Sequence, residues 1–119
     1  MKRFLVALML CALSVPAFAQ IPPQPRACNT TTVATGGTAV TAISGPYNGY
    51  FIVNPLSATD EGVAVEPLYV DPTTTATGTG NATNSALAPG QPYYASTPGV
   101  GPVSVNAASS GHKFTCVRW

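Results

Sequence analysis

Val-Ser-Val-Asn-Ala-Ala-Ser-Ser-Gly-His-Lys-Phe-Thr-Cys-Val-Arg-Trp, residues 103–119, is the stretch whose reading decides the fold. It reads as a strand, a tight Ser109-Ser110-Gly111-His112 turn and a closing strand that carries Cys116. Successive side chains on a strand point to opposite faces. Phe114, Cys116 and Arg118 therefore share one face, and Thr115, Val117 and Trp119 share the other. Cys116 is expected to point inward beside Phe114, where it can meet Cys28 and act as the clasp of a small β fold.

That pairing depends on what precedes it. Residues 1–19 have the three parts of a secretory signal peptide: Lys2 and Arg3, an apolar run from Phe4 to Leu13, and an Ala17-Phe18-Ala19 cleavage site. The run is too short for a bilayer, which needs about 20 apolar residues. Lipidation at Cys11 is disfavoured because Leu10, not a small residue, precedes it. Cleavage after Ala19 removes Cys11 and leaves Cys28 and Cys116 in an oxidising compartment, periplasmic or extracellular, where a disulfide is the default. Two free buried thiols are the alternative.

Beyond the leader, Arg26, Lys113 and Arg118 stand against Asp60, Glu61, Glu66 and Asp71, a net charge of −1. Affinity for nucleic acid rests on many Lys and Arg neutralising phosphates, so three basic residues argue against it, and a polybasic attraction to anionic lipid fails likewise.

Gln20 to Ala27 reads as an extended Pro-rich tether, and residues 28–119 as a single domain. Asn29–Ala34 and Thr38–Ile43 are expected to be strands broken by Gly36-Gly37, rich in the β-branched residues that suit a pleated surface. Gly45, Pro46, Asn48 and Gly49 mark a turn, followed by a buried strand at Tyr50–Val53. Asp60-Glu61-Gly62 reads as a turn, Val63–Val70 as an alternating strand that Pro67 confines to an edge or bulge, and 71–85 as a long Thr-rich loop. Ala86–Ala88 and a short edge strand around Tyr93 complete the set. Twelve prolines, all but Pro16 beyond the leader, and eleven glycines leave no room for a long helix. Short strands at roughly ten-residue spacing predict an all-β fold, a small antiparallel β-sandwich of about six to eight strands.

Chemistry is bounded mainly by inventory. One His, and no Met beyond the leader, exclude a blue-copper site and a His- or Cys-rich zinc site, so no metal or other cofactor is expected. Asp60, Glu61 and Asp71 match no known calcium loop spacing, and Glu66 with Asp71 as a glycosidase pair would need a cleft that so short a domain rarely provides. Asn81-Ala82-Thr83 fits the glycosylation sequon but follows a bacterial style of leader. His112 is the one residue suited to acid–base work at neutral pH, with Ser109 or Ser110 as a conceivable nucleophile, yet its place beside Gly111 reads as a solvated turn histidine. Tyr93, Tyr94 and Tyr47 are candidates for an interaction surface, with one of the adjacent Tyr93 and Tyr94 expected in the core and the other outside.

Phe51-Ile52-Val53-Asn54-Pro55, Glu66-Pro67-Leu68-Tyr69-Val70-Asp71-Pro72, Leu87-Ala88-Pro89-Gly90-Gln91 and Val103-Ser104-Val105-Asn106-Ala107 together resemble small β-sandwich proteins associated with tailed-phage virions and prophage regions. That resemblance implies a structural role, as a decoration or attachment module, and carries no functional residue with it. A signal peptide and a disulfide depart from a particle assembled in the cytoplasm. The expectation is an exported, non-enzymatic structural or binding module with a protein or glycan partner. The alternatives are a small exported hydrolase using His112 and a membrane β-barrel. The barrel is disfavoured because eight strands of about 9 to 11 residues with their turns exceed the length.

Overall fold

The computed structural model describes Pro22 and residues 24–73 and 84–119. The expected leader, Cys11, the 81–83 sequon and most of the expected Thr-rich loop lie outside the described residues. What is described is nearly all β. Ten strands run in the order β1 Arg26–Ala27, β2 Thr32–Val33, β3 Val40–Ile43, β4 Tyr50–Val53, β5 Leu68–Asp71, β6 Ser85–Leu87, β7 Pro92–Ala95, β8 Val103–Asn106, β9 His112–Lys113 and β10 Thr115–Arg118. One sheet has the order β1-β10-β4-β7, the other β3-β8-β5-β6, and a two-stranded ladder joins β2 to β9. Every pairing is antiparallel.

The expected small antiparallel β-sandwich is what forms, although with more and shorter strands than the expected six to eight. Alternation places Tyr50, Ile52 and Cys116 of the first sheet and Ile43, Leu68, Val70, Leu87, Val103 and Val105 of the second in one buried cluster, joined by Val33, Ala42, Ala107 and Phe114. At about 1.5–3 kcal/mol for each fully buried large aliphatic or aromatic side chain, this two-layer core is the main stabilising term.

The C-terminal stretch does not form the expected hairpin. β8 already has β3 on one edge and β5 on the other, and β10 lies between β1 and β4. Neither has an edge left for the other, since a strand pairs along two edges only. Residues 107–113 instead carry the chain from one sheet to the other. On the way, His112 and Lys113 pair with Val33 and Thr32, and Phe114 N–H donates to the Thr31 carbonyl (2.9 Å).

The clasp itself holds. Cys28 and Cys116 form a disulfide with Cα atoms 5.8 Å apart, one step along from the Ala27–Val117 pair of the β1–β10 ladder. The last two residues expected in the tether, Arg26 and Ala27, are thus a paired edge strand.

Two other readings change. Asp60-Glu61-Gly62 is the end of a one-turn helix, α1 Ala58–Glu61, because Ser57 caps it: its hydroxyl oxygen accepts from Asp60 N–H (3.3 Å) and donates to Asp60 Oδ2 (2.7 Å). Gly62, at φ 77°, closes it by donating its N–H to the Ala58 carbonyl. The alternating run 63–70 is strand only from Leu68 onward, where Pro67 no longer costs a ladder hydrogen bond.

Candidate functional site

Two polar constellations stand out, one inside the molecule and one on its surface. The inner one centres on His112. It is fully buried, not solvated in a turn, because the turn ends at Gly111 and His112 opens β9 opposite Val33. Its Nδ1 lies 3.2 Å from Glu66 Oε1, and its Nε2 lies 3.1 Å from Asn54 Oδ1. Ser109 adds two donors to the same carboxylate, its N–H to Oε1 at 2.8 Å and its hydroxyl to Oε2 at 3.0 Å.

Asn54, also fully buried, donates through Nδ2 to the carbonyls of Glu66 (2.8 Å) and Leu87 (2.9 Å). With both Nδ2 hydrogens committed, Oδ1 is the amide atom that faces the ring, so Nε2 is a donor. Nδ1 faces a carboxylate that already accepts from Ser109. Both ring nitrogens of His112 are thus engaged by protein side chains, one by the Glu66 carboxylate and one by the Asn54 amide. A general base needs a ring nitrogen with an available lone pair within reach of a substrate, and His112 presents none in this arrangement. Asn54, Glu66 and Ser109 tie the end of β4, the segment before β5 and the turn before β9 into one network.

The remaining acidic candidates are dispersed. Asp60 is used by the helix cap. Asp71 is fully buried at the end of β5 and accepts from Thr73 N–H (2.8 Å) and Thr73 hydroxyl (3.0 Å). Among the described residues no group of three or more His, Cys, Asp or Glu is placed to hold a metal ion.

The tyrosines divide as the alternation of β7 requires. Tyr93 is half-buried and stacks on Tyr50 with ring centroids 5.8 Å apart, while Tyr47 meets Tyr50 edge-on at 5.2 Å. Both are core-side residues. Burial, and then the neighbouring Tyr93, push the Tyr50 phenol well above the ordinary tyrosine range, and its hydroxyl has no hydrogen-bond partner among the described residues. Tyr94 is 63% exposed and its ring lies 5.6 Å from that of Trp119.

Trp119 in turn borders a surface groove of ≈ 260 Å³ lined also by Arg26, Pro46, Tyr47, Asn48 and Arg118. The indole rests directly on Gly49, where a Cβ would come within 2.6 Å of it, and Trp119 N–H donates to the Gly49 carbonyl (3.0 Å). Only glycine permits that approach. Arg118 is held by its own hydrogen bonds, Nη1 to the Ser44 carbonyl (2.8 Å) and Nε to the Ala27 carbonyl (3.3 Å). Of the three tyrosines read as interaction candidates, Tyr47 lines this groove, Tyr94 stands beside its Trp119 wall, and Tyr93 packs into the core. The arginines and Trp119 escape a sequence reading because Arg26 and Arg118 are far apart in the chain and meet only through the β1–β10 ladder.

Among the described residues no helix is long and apolar enough to cross a membrane. Compared with protein-family models, curated proteins and solved structures, the chain matches none.

Proposed function

We propose that this chain is an exported, non-enzymatic module that works by binding or by structural attachment, in the manner of the decoration and attachment proteins its short motifs resemble. One observation carries the reading. The only histidine of the chain is sealed in the interior with both ring nitrogens engaged, so neutral-pH acid–base chemistry has no exposed imidazole to use. What the molecule offers to solvent instead is an aromatic and arginine-lined surface on a disulfide-tied scaffold. The leader-like N-terminus and the Cys28–Cys116 bridge both support export.

The test has two arms. Purified protein offered ester, peptide and glycoside substrates is expected to turn none of them over, and turnover lost in a folded His112→Ala variant would overturn the non-enzymatic reading. Cell fractionation is expected to find the protein, shortened by its leader, in the periplasm or medium; a full-length cytoplasmic product would sink the export reading.

A further inference from the structure

The groove at the β1–β10 edge has chemistry that the scaffold alone does not explain. Arg26 and Arg118 are direct partners in the antiparallel register, and like charges placed opposite one another are destabilising. Among the described residues no carboxylate forms an ion pair with either. Beyond the leader the chain has three basic residues, and two of them line this one groove. A nearly neutral surface thus places two of its three basic residues side by side, with no carboxylate among the described residues paired to either.

The two guanidinium groups are not equivalent. Arg118, half-buried and fixed by Ser44 and Ala27 carbonyls, has donors to spare, since a guanidinium carries five N–H groups in a rigid fork. Arg26 is exposed and makes no side-chain hydrogen bond among the described residues. A fixed fork beside an exposed, unengaged one suits a planar carboxylate, which takes two parallel hydrogen bonds from such a group.

Next to them stands Trp119, held in place by Gly49 beneath it and Tyr94 beside it. Tryptophan and tyrosine combine a flat apolar face with a polar tip, the surface against which the apolar face of a sugar ring packs. Tyr47 and Asn48 also line the groove. The volume of ≈ 260 Å³ lies just below the roughly 300–1,000 Å³ of sites for drug-sized ligands, room for one ring-sized group. Nucleic acid is disfavoured because two arginines neutralise too few phosphates.

We propose that this groove binds a carboxylate-bearing sugar, its ring on Trp119 and its carboxylate between Arg26 and Arg118. The inference rests on the binding-module reading and gives it a ligand class.

Trp119 is the only tryptophan of the chain, so its emission reports on the groove directly. The protein is titrated with a galacturonic acid trimer, its neutral methyl ester, a sialylated trisaccharide and inorganic phosphate. A saturable change in Trp119 emission with either acidic saccharide is expected, and the two tell a uronic acid from a nonulosonic acid as the source of the carboxylate. The ester and phosphate should bind about tenfold more weakly or worse, as should Arg26→Ala and Arg118→Gln variants with the acidic ligand, given the strength of hydrogen bonds to charged groups.

Absence of any emission change or calorimetric heat with both acidic saccharides overturns the proposal. So does equal binding of the ester or of phosphate, or undiminished binding by Arg26→Ala. A neutral glycan held equally by wild type and Arg26→Ala would remove the groove and leave the binding-module reading standing. Hydrolysis of the trimer would instead remove the non-enzymatic reading.

Discussion

The His112 network and the Arg26–Arg118 groove contain similar numbers of polar side chains and are opposite in how they are satisfied. Inside, His112 and Asn54 are fully buried and meet partners at hydrogen-bond distance, as they must, because an unmet buried polar group costs about 1–3 kcal/mol. At the surface, two arginines face each other across a ladder, and among the described residues no carboxylate pairs with them. The first arrangement closes on itself and joins three segments of the fold. The second is open to solvent and has no counter-charge among the described residues, so a partner can complete it. A titratable residue is therefore no guide to function until its partners are known, and the residue type most associated with catalysis here belongs to the interior.

The sharpest way to break the contrast is through the disulfide that holds β1, with Arg26, against β10, with Arg118. Cys116→Ser opens a bridge between residues 88 apart, worth about 4–5 kcal/mol on the chain-entropy account. The thermal midpoint is expected to fall by roughly 20 °C or more, at about 4–8 °C per kcal/mol for a domain of this size. An unchanged midpoint in non-reducing buffer would show that the bridge contributes nothing. Amide exchange in the variant should quicken first at β1, before the His112 network.

His112→Ala attacks the interior side. It takes one contact from Glu66 and the donor from Asn54 Oδ1, and leaving a buried polar group unmet costs about 1–3 kcal/mol. Urea unfolding should register that loss. A change below about 0.5 kcal/mol, the level of an ordinary surface substitution, would mean that His112 is not part of the structural network.

Tyr50→Phe is the counter-case within the core, where a polar atom is buried and unmet. Removing the hydroxyl should raise stability by about 1 kcal/mol, since no hydrogen bond is lost. The same variant should alter the alkaline limb. In the folded protein, burial with Tyr93, Tyr47 and Asp71 nearby holds the Tyr50 phenol neutral far above its ordinary range. In the unfolded chain it ionises near pH 10. Below about pH 10 both states keep the proton and the group has no pH effect. Above it the unfolded state binds fewer protons, so stability falls as pH rises. Urea midpoints measured from pH 8 to 11 should drop less steeply for Tyr50→Phe than for wild type; parallel slopes would show that Tyr50 ionises freely in the fold.

The same contrast governs how far the sequence could be read. Local signals carried the sheet content well: the β-branched and aromatic Tyr50–Val53 run is a strand, and the alternation around Tyr93 and Tyr94 separates core from surface. Export chemistry and elimination pointed to Cys28–Cys116 for a similar reason, since two cysteines allow one intramolecular pairing. Strand partners are non-local, and local signals do not specify them. A strand, a turn and a strand in succession suggest a hairpin, but whether β8 has an open edge depends on β3 and β5, which lie far from it in the chain. One residue of turn geometry decides whether His112 faces solvent or core, and the turn ends at Gly111. Both polar constellations draw their members from distant segments, Asn54, Glu66, Ser109 and His112 in one case and Arg26, Arg118 and Trp119 in the other, so neither leaves a spacing to detect.

The smallest expected effect is the one that tests the surface side most directly. If Arg26 and Arg118 are a strained like-charge pair kept for a ligand, then Arg26→Glu should turn repulsion across the ladder into attraction. Cross-strand charge pairs are worth roughly 0.2–1 kcal/mol, and this pair is solvent-exposed on the Arg26 side, so a gain of about 0.5 kcal/mol is expected, shrinking in high salt as exposed charges are screened. The variant should be more stable and at the same time unable to hold an acidic saccharide, because the new carboxylate occupies the fork that the ligand would use. Stability and binding then move in opposite directions, as they do where a binding site is retained at the expense of the scaffold. A variant that is less stable than wild type at low salt would mean that Arg26 already serves the fold, and the difference between the two constellations would disappear.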